Sequence, residues 1–497
     1  MLLILSTILF IYLLGECVIR WRKFPKGPFP FPLIGNLPQF LIQCRRTGNV
    51  VEALKFFRKI YGDVFTIWLG PIPTVYICNY DLSHDTMVRQ AHLFSIRSAP
   101  GVMDEIRYGR GIVSSNGDFW TEHRRFALKT FRNFGLGRNI METRILEELE
   151  LRIKDLEEEN QNGCKTVEAS RFFDFLVGSI INKLLTSERF GKDRESEFNE
   201  LKDALDKSFL IFGAFELFVP LWIQKSWMFR WRFDYVMQPM WKVFKFAEIE
   251  VEKRFSAIES GEHVIHDEPD DFIDATILKM RSDEKEGISS TFTRENLVID
   301  MYDLWLAGQE TTSTTLTWAT NCLVNDLEVQ AKCRSEVRSI TKGNRHLSLS
   351  DRNQTPYLNA MIAEVQRIAS ILNLNLTRIT MEDTVIDGQP CGAGAIITSQ
   401  LSIIHEDEKL FTDHKKFDPS RFLNNEKLAQ QTIPFGIGKR SCLGESLAKA
   451  ELYLVLGNII QNYDIKCVGK LPGLETTSPF GIMKRPQLCQ IQLVHVP

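Results

Sequence analysis

The stretch Pro434-Phe435-Gly436-Ile437-Gly438-Lys439-Arg440-Ser441-Cys442-Leu443-Gly444 constrains this chain more than any other. Two glycines precede a cation and then a thiol, a third glycine follows, and helical sequence (Glu445 to Leu452) comes directly after. This pattern predicts that Cys442 sits in a glycine-bent loop just ahead of a helix N-terminus. Free backbone N–H groups and the helix dipole favour a thiolate there, and Arg440 adds positive charge. A thiolate screened by Phe435 is a good soft ligand for iron. The same residues would also suit an inert buried cysteine before a helix.

The other end of the chain sets a second limit. Met1 to Ile19 is almost wholly apolar, and Arg20, Arg22 and Lys23 follow at once. A run of this length suffices for a transmembrane helix. The basic cluster after it predicts a body on the cytosolic side. A cleaved signal peptide is the rival reading, but it would want a basic start and a small-residue cleavage site. A core helix is the third reading. Pro25, Pro28, Pro30 and Pro32 then exclude a helix interior and favour a stiff extended segment. The expected organisation is an anchor over 1–22, a proline-rich hinge over 23–38 and one catalytic body over 39–497.

The body reads as mainly α with a minor β part. Val64–Leu69 and Thr74–Cys78 flank Gly70-Pro71-Ile72-Pro73 and suggest a hairpin. Helices are expected over 139–160, 193–208, 296–324 and 356–370, and short strands over 384–397. The 497 residues can bury a large core. The balance of 60 basic against 63 acidic residues argues against a nucleic-acid binder. None of the ten cysteines stands at CxxC spacing, which fits a reducing compartment better than a disulfide framework.

Four motifs carry a resemblance. Phe435-x-x-Gly438-x-Arg440-x-Cys442-x-Gly444 matches the haem-binding signature of the cytochrome P450 monooxygenases. Ala307-Gly308-Gln309-Glu310-Thr311-Thr312 resembles that family's oxygen-activation motif, and its apolar neighbours make a solvated polar stripe a poor alternative. Glu364-Val365-Gln366-Arg367 with Arg421 resembles its structural Glu-Arg-Arg cluster, although Ser420 replaces the usual acidic residue. Trp120-Thr121-Glu122-His123-Arg124 resembles its Trp-x-x-x-Arg helix. The motifs occur in family order over 116–444. The wording of residues 111–140 is most similar to the microsomal, drug- and fatty-acid-metabolising branch of animals.

The resemblance implies the P450 fold, one large haem domain behind an N-terminal transmembrane helix. It implies haem b with Cys442 as axial thiolate, lined by Ala307, Phe435 and Gly444. Arg97, Trp120, Arg124 and Arg440 would meet the haem propionates. Arg378 would stand in for the usual Pro-His or His-Arg pair, which is replaced here by Leu374-Asn375-Leu376-Thr377-Arg378. Thr311 would hydrogen-bond dioxygen and Glu310 would help deliver protons. The reaction implied inserts one oxygen atom into a lipophilic fatty acid, steroid or xenobiotic, at the endoplasmic reticulum membrane. Two alternatives share these motifs: an isomerase or synthase acting on peroxides without a reductase, and a non-catalytic haem carrier.

No GxGxxG follows a strand, and no Walker loop occurs. Electrons would therefore come from another protein; the family implies an NADPH–cytochrome reductase, with a cytochrome b-type donor as a second source. His123 to Arg138 holds Arg124, Arg125, Lys129, Arg132 and Arg138 with no acidic residue, a stripe that would steer an acidic partner or simply solvate a helix. Phe209 to Trp231 holds eight aromatic side chains, including Phe218, Trp222, Trp227 and Trp231, and suits either contact with membrane lipid or core packing. By the resemblance, 102–107, 210–215, Asp303, Ala307, 372–376 and Phe480 would line the substrate pocket, with Asp303 able to bind a base.

Overall fold

The computed structural model describes residues 2–97, 101–135, 139–159, 165–213, 215–216 and 219–496. Cys164, Arg138 and Phe218 lie outside them. Helices dominate. Those that matter below are α1 (Leu2–Trp21), α2 (Gly117–Asn133), α3 (Ala169–Thr186), α4 (Glu195–Ile211), α5 (Arg230–Ser260), α6 (Phe272–Lys285), α7 (Arg294–Asn325), α8 (Pro356–Ala369) and α9 (Glu445–Asn462). The strands are β1 (Val64–Leu69), β2 (Ile72–Ile77), β3 (Ile96–Arg97), β4 (Lys165–Glu168), β5 (Arg378–Ile379), β6 (Thr384–Ile386), β7 (Gln389–Cys391), β8 (Ile396–Ser399), β9 (Tyr463–Val468) and β10 (Gln490–His495).

The five-stranded sheet runs β1-β2-β8-β5-β3, with β2 and β8 parallel and the other neighbours antiparallel. The hairpin turn is only Gly70-Pro71, because Ile72 and Pro73 already pair with Leu69 and Trp68. A second sheet orders β4-β10-β9, and β6-β7 form a small hairpin. Its turn is Asp387-Gly388, both at positive φ, a geometry that glycine adopts without strain.

The long helix α7 runs unbroken through the core. Thr293 caps it by accepting from Asn296 N–H, and Tyr302, Trp305, Leu316 and Trp318 are buried along it. Thr311, Thr315, Thr317 and Thr320 each donate to the carbonyl four residues back, so these four hydroxyls are spent on their own helix. Gly308 lies within this helix, facing α3. A Cβ there would lie 2.6 Å from Ile181 Cδ1, so this glycine lets α3 pack closely.

Pro356 opens α8, where its fixed φ suits the first helical position. Glu364 and Arg367 are fully buried on it and bond twice, at 2.7 and 2.8 Å. Arg421 Nε adds a third bond to Glu364 at 3.0 Å. The remaining Arg367 donors go to the carbonyls of His405 and His414, so the cluster ties α8 to the chain that leads up to Cys442.

The proline segment is irregular from Gly27 to Pro30, turns at 32–34 and enters a helix at Leu37, and it is docked on the body. Thr66 N–H donates to Lys26 O, Asn36 N–H donates to Trp68 O, and Asn36 Oδ1 accepts from Trp68 N–H. Just before it, the Arg20 guanidinium lies 5.1 Å over the Trp68 ring. β1 therefore holds the segment at a fixed attitude to the body. Helix α1 itself is long and apolar enough to cross a membrane.

Removing one partner of a buried ion pair strands the other charge. Glu364→Ala is expected to destabilise the protein by about 3–5 kcal/mol. Arg230→Ala, which breaks an exposed pair with Asp234, should cost no more than about 1 kcal/mol. Chemical unfolding of the detergent-solubilised chain separates the two.

Candidate active site

The loop before α9 is shaped by its glycines. Gly436 and Gly438 take φ of +68° and +79°. At Gly438 a Cβ would also meet Met87 O at 2.0 Å. Cys442 N–H donates to Phe435 O at 2.9 Å and closes the loop, with α9 starting three residues later. Cys442 is open to the cavity between this loop and α7. Burial raises its thiol pKa, while the Gly444 N–H and Arg124 pull it down. Without a bound metal the group is therefore a thiol; a metal ligand bond would deprotonate it.

Four arginines converge on the rim of that cavity from four separate stretches of chain: Arg97 on β3, Arg124 on α2, Arg378 on β5 and Arg440 in the loop. Arg440 donates to Ser95 O, Ser115 O and Asn116 Oδ1. Arg97 donates to Leu376 O and Arg440 O, Arg124 to Ser441 O, and Arg378 to Ile437 O. Trp120 lies between two of them, with Arg440 at 3.7 Å and Arg124 at 5.7 Å from its ring centroid. Among the described residues no carboxylate pairs with any of the four. Burial first, then the other arginines, push Arg97 and Arg440 down to about 9, and burial pushes Arg378 down to about 10. All four stay charged at neutral pH, and Arg97 Nε and Arg440 Nη1 are buried without a partner. A cationic rim without a counter-charge calls for an anionic ligand, and its bidentate donors suit carboxylates.

Opposite Cys442, α7 presents Ala307, Gly308, Thr311, Thr312 and Thr315 to the cavity. Phe435, Trp120 and Gly444 also line it. A flat group bearing carboxylates on one edge, with a metal reached by Cys442, fits this donor set.

Glu310 is not on the cavity wall. It is buried behind α7, bonded to Lys202 Nζ of α4 at 2.9 Å and to Arg485. Lys202 also reaches Asp206 at 2.6 Å and Asp174 at 3.5 Å. Burial works against the Lys202 charge, but these carboxylates outweigh it and hold its pKa up. The expected pocket base and walls are also redistributed. Asp303 is already paired with Arg107 Nε at 2.6 Å and accepts from Val113 N–H, so it is not a free base. Ile112 and Val113 line the cavity instead of 102–107. Residues 210–213 and 215 do not line it, and neither does Phe480, which is exposed. Leu372, Asn375 and Leu376 do.

Asn116, Lys202 and Arg485 escaped the sequence reading. Asn116 Oδ1 accepts from both Arg97 N–H and Arg440 Nη2. Its place just before the Trp-x-x-x-Arg helix was a usable signal. Lys202 stands in a charged stretch beside Glu200 and Asp203, and Arg485 follows Lys484, so nothing local set either apart from ordinary surface charge.

A family model described as cytochrome P450 matches residues 25–493. The chain is 41% identical over 473 residues to a probable cytochrome P450, cyp-35D1, of Caenorhabditis elegans, covering 94% of each protein. It is 33% identical over 494 residues to cytochrome P450 2C28 of Mesocricetus auratus, covering 96% of this chain and 97% of that one. It is 32% identical over 488 residues to cytochrome P450 2C8 of Homo sapiens, covering 96% and 95%.

Gly438→Ala is expected to push the loop off Met87 and displace Cys442. The measurement is the haem-to-protein ratio of the purified variant, expected well below wild type while the far-UV circular dichroism is unchanged.

Proposed function

The chain belongs to the cytochrome P450 family and is a haem-thiolate monooxygenase, and from this premise we propose that Cys442 is its axial thiolate. One observation carries the assignment: four arginines, Arg378 and Arg440 buried and Arg97 and Arg124 half-buried, rim the cavity onto which Cys442 opens, with no carboxylate partner among the described residues. Haem b, when bound, supplies the iron that activates dioxygen and transfers one of its atoms to the substrate. Every other role belongs to the chain.

Arg97, Arg124, Arg378 and Arg440 hold the propionates, with Trp120 stacked between two of them. Phe435 screens the sulfur from solvent. Ala307 and Thr311 face the oxygen side. The Thr311 hydroxyl donates to Ala307 O at 2.8 Å, which leaves its oxygen free to accept a hydrogen bond from a bound water; to pass a proton onward the hydroxyl must first turn away from Ala307 O. Glu310 is the proton source in the same reading, and it must exchange its bonds to Lys202 and Arg485 to serve.

The substrate is lipophilic, a fatty acid, steroid or xenobiotic. The apolar side chains of Ile112, Val113, Leu304 and Leu372 support this. Electrons come from an NADPH–cytochrome reductase, with a cytochrome b-type donor as second source. Arg125, Lys129 and Arg132 are exposed along one face of α2 and provide a cationic docking stripe. The anchor α1 places the enzyme in the endoplasmic reticulum membrane as a single pass, and the basic cluster at Arg20, Arg22 and Lys23 favours a cytosolic body. Trp222, Trp227 and Trp231 are exposed between α4 and the start of α5, Trp227 at 88%, and suit contact with the same lipid surface.

Two measurements test this. Cys442→Ala should lose the thiolate-type band of the reduced, CO-bound spectrum; a normal band in the variant refutes the ligand assignment. Wild type should form product only with NADPH and reductase, and Thr311→Val should lower the product formed per NADPH consumed. Turnover of peroxides without reductase would favour the isomerase or synthase reading instead.

A further inference from the structure

His123 and Asp300 form a buried pair that none of these roles uses. His123 stands on α2 between Trp120 and Arg124, and Asp300 stands on α7, two turns before Ala307. His123 Nδ1 lies 2.6 Å from Asp300 Oδ2, and Nε2 lies 3.1 Å from Thr291 Oγ1. The Thr291 hydroxyl donates its own proton to Glu122 at 2.7 Å. A hydroxyl has one proton, so Thr291 can only accept from His123. Nε2 is therefore a donor, and Nδ1, facing a carboxylate, is a donor too. Both nitrogens carry hydrogen, so the bonding pattern calls for an imidazolium. Its surroundings agree: Phe119 stacks on one face at 4.0 Å and Phe292 on the other at 4.4 Å, and aromatic faces attract a cation.

Stability does not account for this pair. Burial raises the Asp300 carboxyl to about 6, with His123 opposing part of the rise. A carboxyl that holds its proton more tightly folded than unfolded makes the fold less stable as pH rises towards 6, so at neutral pH the ionised Asp300 is a cost. Well-packed apolar side chains would serve stability as well. What they lack is direction. An ion pair with hydrogen bonds at both ring nitrogens fixes the rotation of α2 about its axis, and Trp120 and Arg124 turn with it.

We propose that His123 and Asp300 are positioning residues for the haem edge, a charged clamp that holds the Trp120–Arg124 face of α2 in register with the Thr311 face of α7. The clamp rests on the reading of Trp120 and Arg124 as propionate partners. The other charges around it are few. Asp303 lies one turn along α7 and is held by Arg107, Glu122 is reached through Thr291, and Lys279 of α6 sits 5.6 Å over the Phe292 ring.

The test follows haem transfer from the full-length, detergent-solubilised holoprotein to excess apomyoglobin across pH, in wild type, Asp300→Asn, His123→Phe and Arg124→Ala. Asp300→Asn is expected to lose haem roughly threefold to tenfold faster than wild type at pH 7.5. The two rates should converge as pH falls below about 6, where the wild-type carboxyl takes up its proton. His123→Phe keeps the ring stack and should behave like Asp300→Asn. Nitrogen NMR of labelled histidine supplies a readout independent of turnover: both His123 nitrogens should be protonated in wild type at pH 7.5. Equal haem loss in wild type and Asp300→Asn at pH 7.5, or a neutral His123 in wild type, overturns the clamp. Arg124→Ala separates the two layers. If it releases haem no faster than wild type, the propionate reading falls and takes the clamp with it. If it does release haem faster while Asp300→Asn does not, only the clamp falls. Should His123→Phe fail to fold, Asp300→Asn and the wild-type NMR decide.

Discussion

Four guanidinium groups crowded on one cavity rim repel each other, and everything around the cavity is arranged to hold them there. Their hydrogen bonds go to carbonyls of Ser95, Ser115, Leu376, Ile437 and Ser441, and to Asn116. A carbonyl satisfies a donor without cancelling its charge, so the rim stays cationic. That is a poor arrangement for a chain folding alone and a good one for a chain that folds around a dianion, since a ligand bound only by the folded state stabilises it by mass action. The buried Glu364–Arg367–Arg421 cluster does the opposite work. Its Glu364 carboxylate is shared by two guanidinium groups, and it ties α8 to the segment that ends at Cys442.

What was readable from the sequence was what short spacing determines. Glu364 and Arg367 are one helical turn apart, and the Gly436–Gly444 loop is contiguous. The helix expected over 296–324 is observed as α7, two residues earlier at its start, where Thr293 caps it. What was not readable depends on partners brought together by folding. Lys202 and Arg485 converge on Glu310 from 108 and 175 residues away, and Arg107 reaches Asp303 across 196. No local pattern marks such pairs, so Glu310 and Asp303 looked free in the sequence and are not. The pocket wall failed for the same reason. Which residues of the 102–113 stretch face the cavity is set by the turn at Gly111, where a Cβ would strike the Asp303 carboxylate. The proline segment is free of helix as its composition requires, but the backbone partners on β1 and Asn36 that dock it lie outside that composition.

The two faces of α2 carry different charges. Its inner side carries Trp120, His123 and Arg124, and its outer side carries Arg125, Lys129 and Arg132. On the assignments made here, one face meets the cofactor and the other meets the electron donor, across a single helix about 10–12 Å in diameter. A protein that docks on the outer stripe therefore pushes on the element that grips the propionates. An α2 free to roll would convert each docking event into a change at the haem edge. An α2 pinned to α7 by a charged, directional contact would not. The cost of burying Asp300 in ionised form is then the cost of keeping those two faces mechanically independent, which an apolar contact between the same helices, free to slide and rotate, could not provide.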